Sequence, residues 1–364
     1  MITNPFNKKI LNTIVFLSLL YITGSILFSE ENIQGLRQVI FDADIVYYLL
    51  GVVAFSGLWF LNAWGNQIIL RKNGHHYPFR LALQAVLAGQ FYQLITPLAT
   101  GGQPVLLYYM VRKDGVPLWS ATSAVFNRLI LYKLMLVVVA LAGTLWQFPR
   151  LVETLGPAIS FTVFGLLLSV LVAASAIAMF RHPSLVSRLA FRLLRMVNRL
   201  IPPARMGIRE DKLEHLVRQY AGGIGVLLQE KKMLLQVSAL MLGNLFCQFI
   251  SAYFVYRALG FQGESVLTFL AFQAALTVTI FFIPTPGSLG AAEYGFYLFY
   301  SGFYEGTTLM VAVLLWRSMT YYVPVLISAA VALWTYWQRR RMGTGDMEGP
   351  LHLLREQMDR PSGA

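Results

Sequence analysis

Apolar positions along the chain gather into long, nearly uncharged runs instead of alternating or recurring on one face. Six runs are long enough to cross a bilayer as single helices, near residues 10–28, 45–70, 118–147, 156–180, 233–259 and 307–336. Two more apolar stretches, 81–111 and 265–304, are broken at their middles by Gly/Pro clusters. The first cluster reads Thr96-Pro97-Leu98-Ala99-Thr100-Gly101-Gly102-Gln103-Pro104, and the second Pro284-Thr285-Pro286-Gly287-Ser288-Leu289-Gly290. Proline removes a backbone donor and clashes with the preceding turn, so no continuous helix runs through either cluster. Each stretch is therefore expected to form two part-length helices meeting at a loop, a re-entrant hairpin. Irregular backbone of that kind survives at membrane depth only where it is buried in protein or lines a cavity. The expected fold is an all-α polytopic membrane protein with about six full transmembrane helices and two re-entrant helical hairpins.

Composition agrees, and it excludes a water-soluble enzyme. Of 364 residues, 57% are hydrophobic and 13% charged, against about 25% charged in soluble domains. A single cysteine, Cys247, rules out an internal disulfide, and the five histidines show no ligand spacing, so neither metal nor cofactor is expected. The net charge of +12 is informative only by its placement. With the N-terminus cytoplasmic and both hairpins re-entering, 23 of the 29 Lys and Arg lie inside, three outside (Arg37, Arg150, Arg257) and three within the membrane. That bias places both termini in the cytoplasm. Residues 181–232 alone carry 11 basic and 4 acidic residues. Arg188, Arg192, Arg195 and Arg199 share a helical face there, which suits either a helix on the anionic leaflet or a loop that fixes topology. No aromatic interleaving accompanies these arginines, and a nucleic-acid partner is not expected.

The two hairpins align without gaps. Thr96 meets Thr285, Pro97 meets Pro286, Gly101 meets Gly290, Arg128 meets Arg317 and Tyr132 meets Tyr321. Each arginine lies ten residues into its helix, about 15 Å deep and so near the middle of a core about 30 Å thick. Residues 1–336 thus form one transmembrane domain containing two units, 45–147 and 233–336, expected to be inverted repeats. Residues 337–364 form a cytoplasmic tail. Interrupted segments at matching positions of two halves point to a binding site at the midplane.

Intramembrane charge sharpens that expectation. Arg128, Lys133 and Arg317 face one acid, Glu293, although a charge at the bilayer centre costs at least about 2.5–3.5 kcal/mol. One arrangement pairs Glu293 with Arg317 and leaves Arg128 on hairpin carbonyls. The other places an anionic headgroup between the loops, gripped by Arg128 and Arg317. In that arrangement helix N-termini after Gln103 and Ser288 point inward, and Gly101, Gly102, Gly287 and Gly290 admit close approach. Tyr132 and Tyr321 lie one turn beyond each arginine, Thr96 and Thr285 line the loops, and Lys133 serves the cavity wall.

These segments carry a resemblance. Residues 96–104 with Gly115 and Asn127-Arg128, and residues 283–293 with Arg317, resemble the two halves of the lysylphosphatidylglycerol synthase transmembrane, or flippase-like, family over roughly residues 10–336. Asn127 stands where many relatives carry Asp, and Ser288 where they carry a second Gly. The family's multiple peptide resistance factors join this module to an aminoacyl-transferase domain, which is expected to be absent because only 28 residues follow Tyr336. The resemblance implies a bacterial cytoplasmic membrane and an anionic lipid partner: a phospholipid, an aminoacyl-phosphatidylglycerol or a polyprenyl phosphate. A translocase between leaflets is the leading function. Its alternatives are a component of, or enzyme for, lysylphosphatidylglycerol synthesis, and a non-transporting subunit beside a separate synthase. Self-association is left open.

Overall fold

The computed structural model describes residues 33–96, 101–181, 230–281, 283, 285 and 287–341. The expected span 10–28, the arginine face in 181–232, most of the tail, and Pro97 to Thr100, Pro284 and Pro286 lie outside these residues.

Every regular element among the described residues is helical. After α1 (Ile33–Asp42), the first unit comprises α2 (Ile45–Lys72), α3 (Phe79–Ile95), α4 (Gly102–Tyr108) and α5 (Leu118–Trp146). A π-helical turn, Tyr109–Lys113, extends α4. Two connecting helices follow, α6 (Phe148–Leu155) and α7 (Ile159–Arg181). The second unit comprises α8 (Lys231–Ala258), α9 (Val266–Ile280), α10 (Ala291–Tyr300), α11 (Gly306–Arg317) and α12 (Val323–Arg341), with a π-helical turn, Ser318–Tyr322, joining the last two. Among the described residues five spans, Ile45–Lys72, Leu118–Trp146, Phe148–Ser175, Lys231–Ala258 and Gly306–Thr335, are long and apolar enough to cross a membrane. Two short helices, α1 and α6, were not predicted. Helix α6 is amphipathic and buries only Leu151 and Leu155, so it falls below the length that hydropathy detects.

Side chains set the helix ends. Asp44 accepts a hydrogen bond from the Val46 N–H at 2.8 Å and starts α2, and Ser265 does the same for Leu267 at 3.1 Å to start α9. Gly74, at φ +82°, ends the turn that closes α2. The long helices are apolar around most of their circumference, which requires an apolar surround. Val53, Phe161, Leu167, Leu235 and Leu326 are all at least 65% exposed and form the lipid-facing surface.

The two units interlock reciprocally. Helices α2 and α8, the first of each unit, run antiparallel along their whole length. The Asp44 N–H donates to the Ala258 carbonyl at 2.7 Å, the Asn244 amide to the Leu58 carbonyl at 3.0 Å, and Lys72 pairs with Glu230 at 3.1 Å. These pairs step through both helices at intervals of fourteen residues. Helix α3 packs against α12, and its counterpart α9 packs against α5. Each unit's hairpin thus lies against the other unit's last helix. The cores differ in character at the two ends. Tyr256, Phe269, Phe272, Phe296, Tyr300 and Trp316 make one end densely aromatic, while the other is filled mainly by aliphatic and alanine side chains with Met110, Met233 and Met241, beside Phe55, Trp59 and Tyr77.

Candidate functional site

The two central arginines are both buried, 6% and 5% exposed, yet they are tied down by different chemistry. Arg317 donates through Nε to Glu293 Oε1 at 2.7 Å and through Nη2 to the Gly287 carbonyl at 3.2 Å. Its guanidinium lies 4.7 Å from the centre of the Tyr321 ring. Glu293 Oε2 accepts from the Gly290 N–H at 2.7 Å. One carboxylate therefore caps α10 and neutralises Arg317 together. The first N–H at the N-terminus of α10 is thus taken by the protein's own acid.

Arg128 has no such partner. Nε donates to Asn66 Oδ1 at 2.9 Å and Nη1 to Asn62 Oδ1 at 2.5 Å. Both asparagines belong to α2, one turn apart on a single face, and they take the place assigned to hairpin carbonyls. Among the described residues two neutral amides, and no carboxylate, hydrogen-bond this guanidinium. The Asn66 Nδ2 beside it is buried without a partner. Amide oxygens orient an arginine and reduce its desolvation cost, but they leave its unit charge in place.

The hairpin loops meet. A Cβ on Gly287 (φ +57°) would strike the Tyr321 ring and come within 2.8 Å of the Leu94 carbonyl at the end of α3. In the first hairpin a Cβ on Gly102 would lie 2.8 Å from Gln93 Cβ, and one on Gly101 would lie 2.8 Å from Thr96 Cγ2. Thr96 Oγ1 donates to the Tyr92 carbonyl at 2.6 Å and accepts from the Gly101 N–H at 2.9 Å. These glycines permit close packing of protein on protein here. Ser288 shares the left-handed conformation, at φ 54°, although it is not glycine.

The remaining candidates divide between the units. The Tyr132 hydroxyl donates to Gln248 Oε1 at 2.8 Å, while the Tyr321 hydroxyl, Gln103 Oε1 and Thr285 Oγ1 are buried without partners. Lys133 Nζ lies 3.5 Å from the centre of the Phe281 ring, just past α9. The structure thus gathers Arg317, Glu293, Gly287, Gly290 and Tyr321 around the second loop, and Arg128, Tyr132 and Lys133 along α5. Sequence reasoning missed Asn62, Asn66 and Gln248. The signal was present, since Asn62 and Asn66 are spaced i, i+4 in an apolar run, but neither is ionisable and neither lies in a Gly/Pro cluster.

Comparison with known proteins adds one finding. The family described as the lysylphosphatidylglycerol synthase TM region matches residues 9–328. No curated protein and no solved structure matches the chain.

Proposed function

Because the chain belongs to the lysylphosphatidylglycerol synthase TM-region family, we propose that it is a membrane translocase for an anionic lipid, with Arg128 as its principal headgroup contact. The observation that carries this reading is the unequal treatment of two buried arginines. Arg317 is neutralised by Glu293 at 2.7 Å, whereas Arg128 rests on Asn62 and Asn66. A buried charge that the protein leaves unbalanced favours a ligand of opposite sign. A phosphate oxygen suits a guanidinium fork particularly well. Tyr132, one turn along α5, adds a hydroxyl on the same side.

Antiparallel α2 and α8, with hairpins exchanged between units, support an inverted repeat with its axis in the membrane plane. Rocking of one unit against the other is the corresponding mechanism, carrying the headgroup past the meeting loops. The same reading orients the aromatic end outward and both termini toward the cytoplasm of a bacterial cell membrane. A phospholipid, an aminoacyl-phosphatidylglycerol and a polyprenyl phosphate all offer the required anion. Catalysis of lipid aminoacylation is less well supported. The one buried carboxylate among the described residues, Glu293, is engaged twice over by Arg317 and Gly290 and is poorly placed to act as a general base.

Native mass spectrometry of the purified protein with its co-purified lipids tests the reading. An anionic lipid retained by the wild type and lost from Arg128→Ala supports it. Equal retention by both removes Arg128 from the site.

A further inference from the structure

Asn66 carries an unmet hydrogen-bonding demand beside an unmet charge. A guanidinium only donates, so the Arg128 bonds fix which end of each asparagine amide faces it. The oxygens of Asn66 and Asn62 accept from Nε and Nη1, which leaves the Asn66 nitrogen on the other arm of the same planar group. That nitrogen is buried with no acceptor, on a residue 0% exposed. Nη2 of Arg128 likewise meets no acceptor among the described residues. Helix α2 lies close along this side chain, since a Cβ on Gly65 would come within 3.4 Å of Arg128 Cδ. The unpartnered groups of Asn66 and Arg128 are therefore donors only, around a full positive charge. Asn62 is half-buried and Arg128 keeps 6% exposure, so the cluster is not completely enclosed.

The second unit shows the alternative. There Glu293 accepts from Arg317 and cancels its charge. A carboxylate at position 66 would have nearly the size of the amide and accept from Arg128 in the same way. It would also remove the stranded donor and neutralise the guanidinium. Stability alone favours that acid, whereas the amide leaves both a donor and a charge open. A water oxygen meets the Asn66 donor, but only an anion meets the donor and balances the charge as well. We infer that Asn66 is a specificity-determining residue of the Arg128 site, its Nδ2 joining Arg128 in donating to a phosphate oxyanion. The neutrality of positions 62 and 66 is what admits that anion. The inference rests on the carrier reading, under which the phosphate is a lipid mono- or diester.

The test measures retention of phosphatidylglycerol and of a polyprenyl phosphate by native mass spectrometry, with inorganic phosphate as the lipid-free arm, beside thermal melts in detergent. Asn66→Asp is expected to melt no lower than the wild type, because it supplies the acid that Arg128 lacks. It should nonetheless retain at least about tenfold less anionic lipid, the scale of one lost hydrogen bond to a charged group. A residue that merely ties α2 to α5 would give the stability without the loss. Asn62→Asp neutralises the same guanidinium from the half-buried position and decides the question if Asn66→Asp does not fold. Wild-type retention by the folded Asp variants, with lipid lost from Arg128→Ala, would overturn the inference and leave the carrier reading standing. Binding of inorganic phosphate that Asn66→Asp abolishes, in a protein that retains neither lipid, would instead keep the anion site and refute the carrier reading.

Discussion

Arg128 and Arg317 occupy matching places in the sequence, and the difference between them decides the chemistry. Deleting one partner of a buried ion pair leaves the other charge uncompensated, at a cost of about 3–5 kcal/mol. Glu293→Gln is therefore expected to lower thermal stability markedly, because it strands Arg317 and weakens the Gly290 cap. The double variant Glu293→Gln with Arg317→Gln should recover much of the loss, and a thermal-melt double-mutant cycle in detergent measures that coupling. Strictly additive effects would show that the pair is not a unit. Arg128→Gln should behave differently, since it removes a charge that no acid balances; it is expected to remain folded. The sequence made both arginines and Glu293 legible, because ionisable residues stand out in apolar runs. One of its two arrangements paired Glu293 with Arg317, as the structure does, but the sequence could not reveal Asn62 and Asn66, since a neutral amide in a span looks like any tolerated polar residue until its neighbour is known.

At the level of elements, backbone approach decides which helices can touch. A Cβ on Gly165 of α7 would collide with the Val278 carbonyl of α9, and Thr279 donates to Thr162 at 3.1 Å in the same contact. Gly165→Val should separate α7 from α9 and reduce the yield of folded protein, while Gly243→Val, where the nearest atom is a flexible Leu61 methyl at 3.4 Å, should be milder. Size-exclusion profiles of the two variants provide the comparison. At the aromatic end Arg150 donates twice to Glu264, at 2.6 and 2.9 Å, while stacking on Phe303 at 4.4 Å. Those hydrogen bonds hold the Glu264 carboxyl below the usual carboxylate range. A depressed folded-state value contributes stability above the unfolded value of about 4.3, lost as pH falls through the folded one. Melts of wild type and Glu264→Gln should therefore differ near neutrality and converge in acid below about pH 4. A gap that persists there would assign the contact to packing. The element boundaries were largely readable, with 45–70 becoming 45–72 and 118–147 becoming 118–146. Hydropathy has no signal for α6, whose apolar face is one turn wide.

For the whole molecule, antiparallel α2 and α8 set a topology that can be measured. Single cysteines on a Cys247→Ala background should be labelled from the cytoplasmic side at Lys72 and Lys232, and from the outer side at Asp44 and Gly260. Labelling of Lys72 and Gly260 from the same side would contradict the antiparallel pairing. The expected repeat rests in the sequence on a handful of identities around two loops. The reciprocal packing of α3 on α12 and α9 on α5 has no one-dimensional signature, because it joins residues far apart in the chain.

The central claim is that the protein leaves Arg128 unbalanced so that a lipid anion can balance it. A leaflet-specific assay of fluorescent anionic lipid in proteoliposomes, with expression-matched variants, tests it most directly. The wild type should move lipid between leaflets. Arg128→Gln should slow transfer about 10–100-fold, the range for one or two lost hydrogen bonds to a charged group. Arg128→Lys, which keeps the charge but loses the planar fork, should fall between them. Transfer at the wild-type rate by folded Arg128→Gln would contradict the claim and make the arginine a structural tie between α5 and α2.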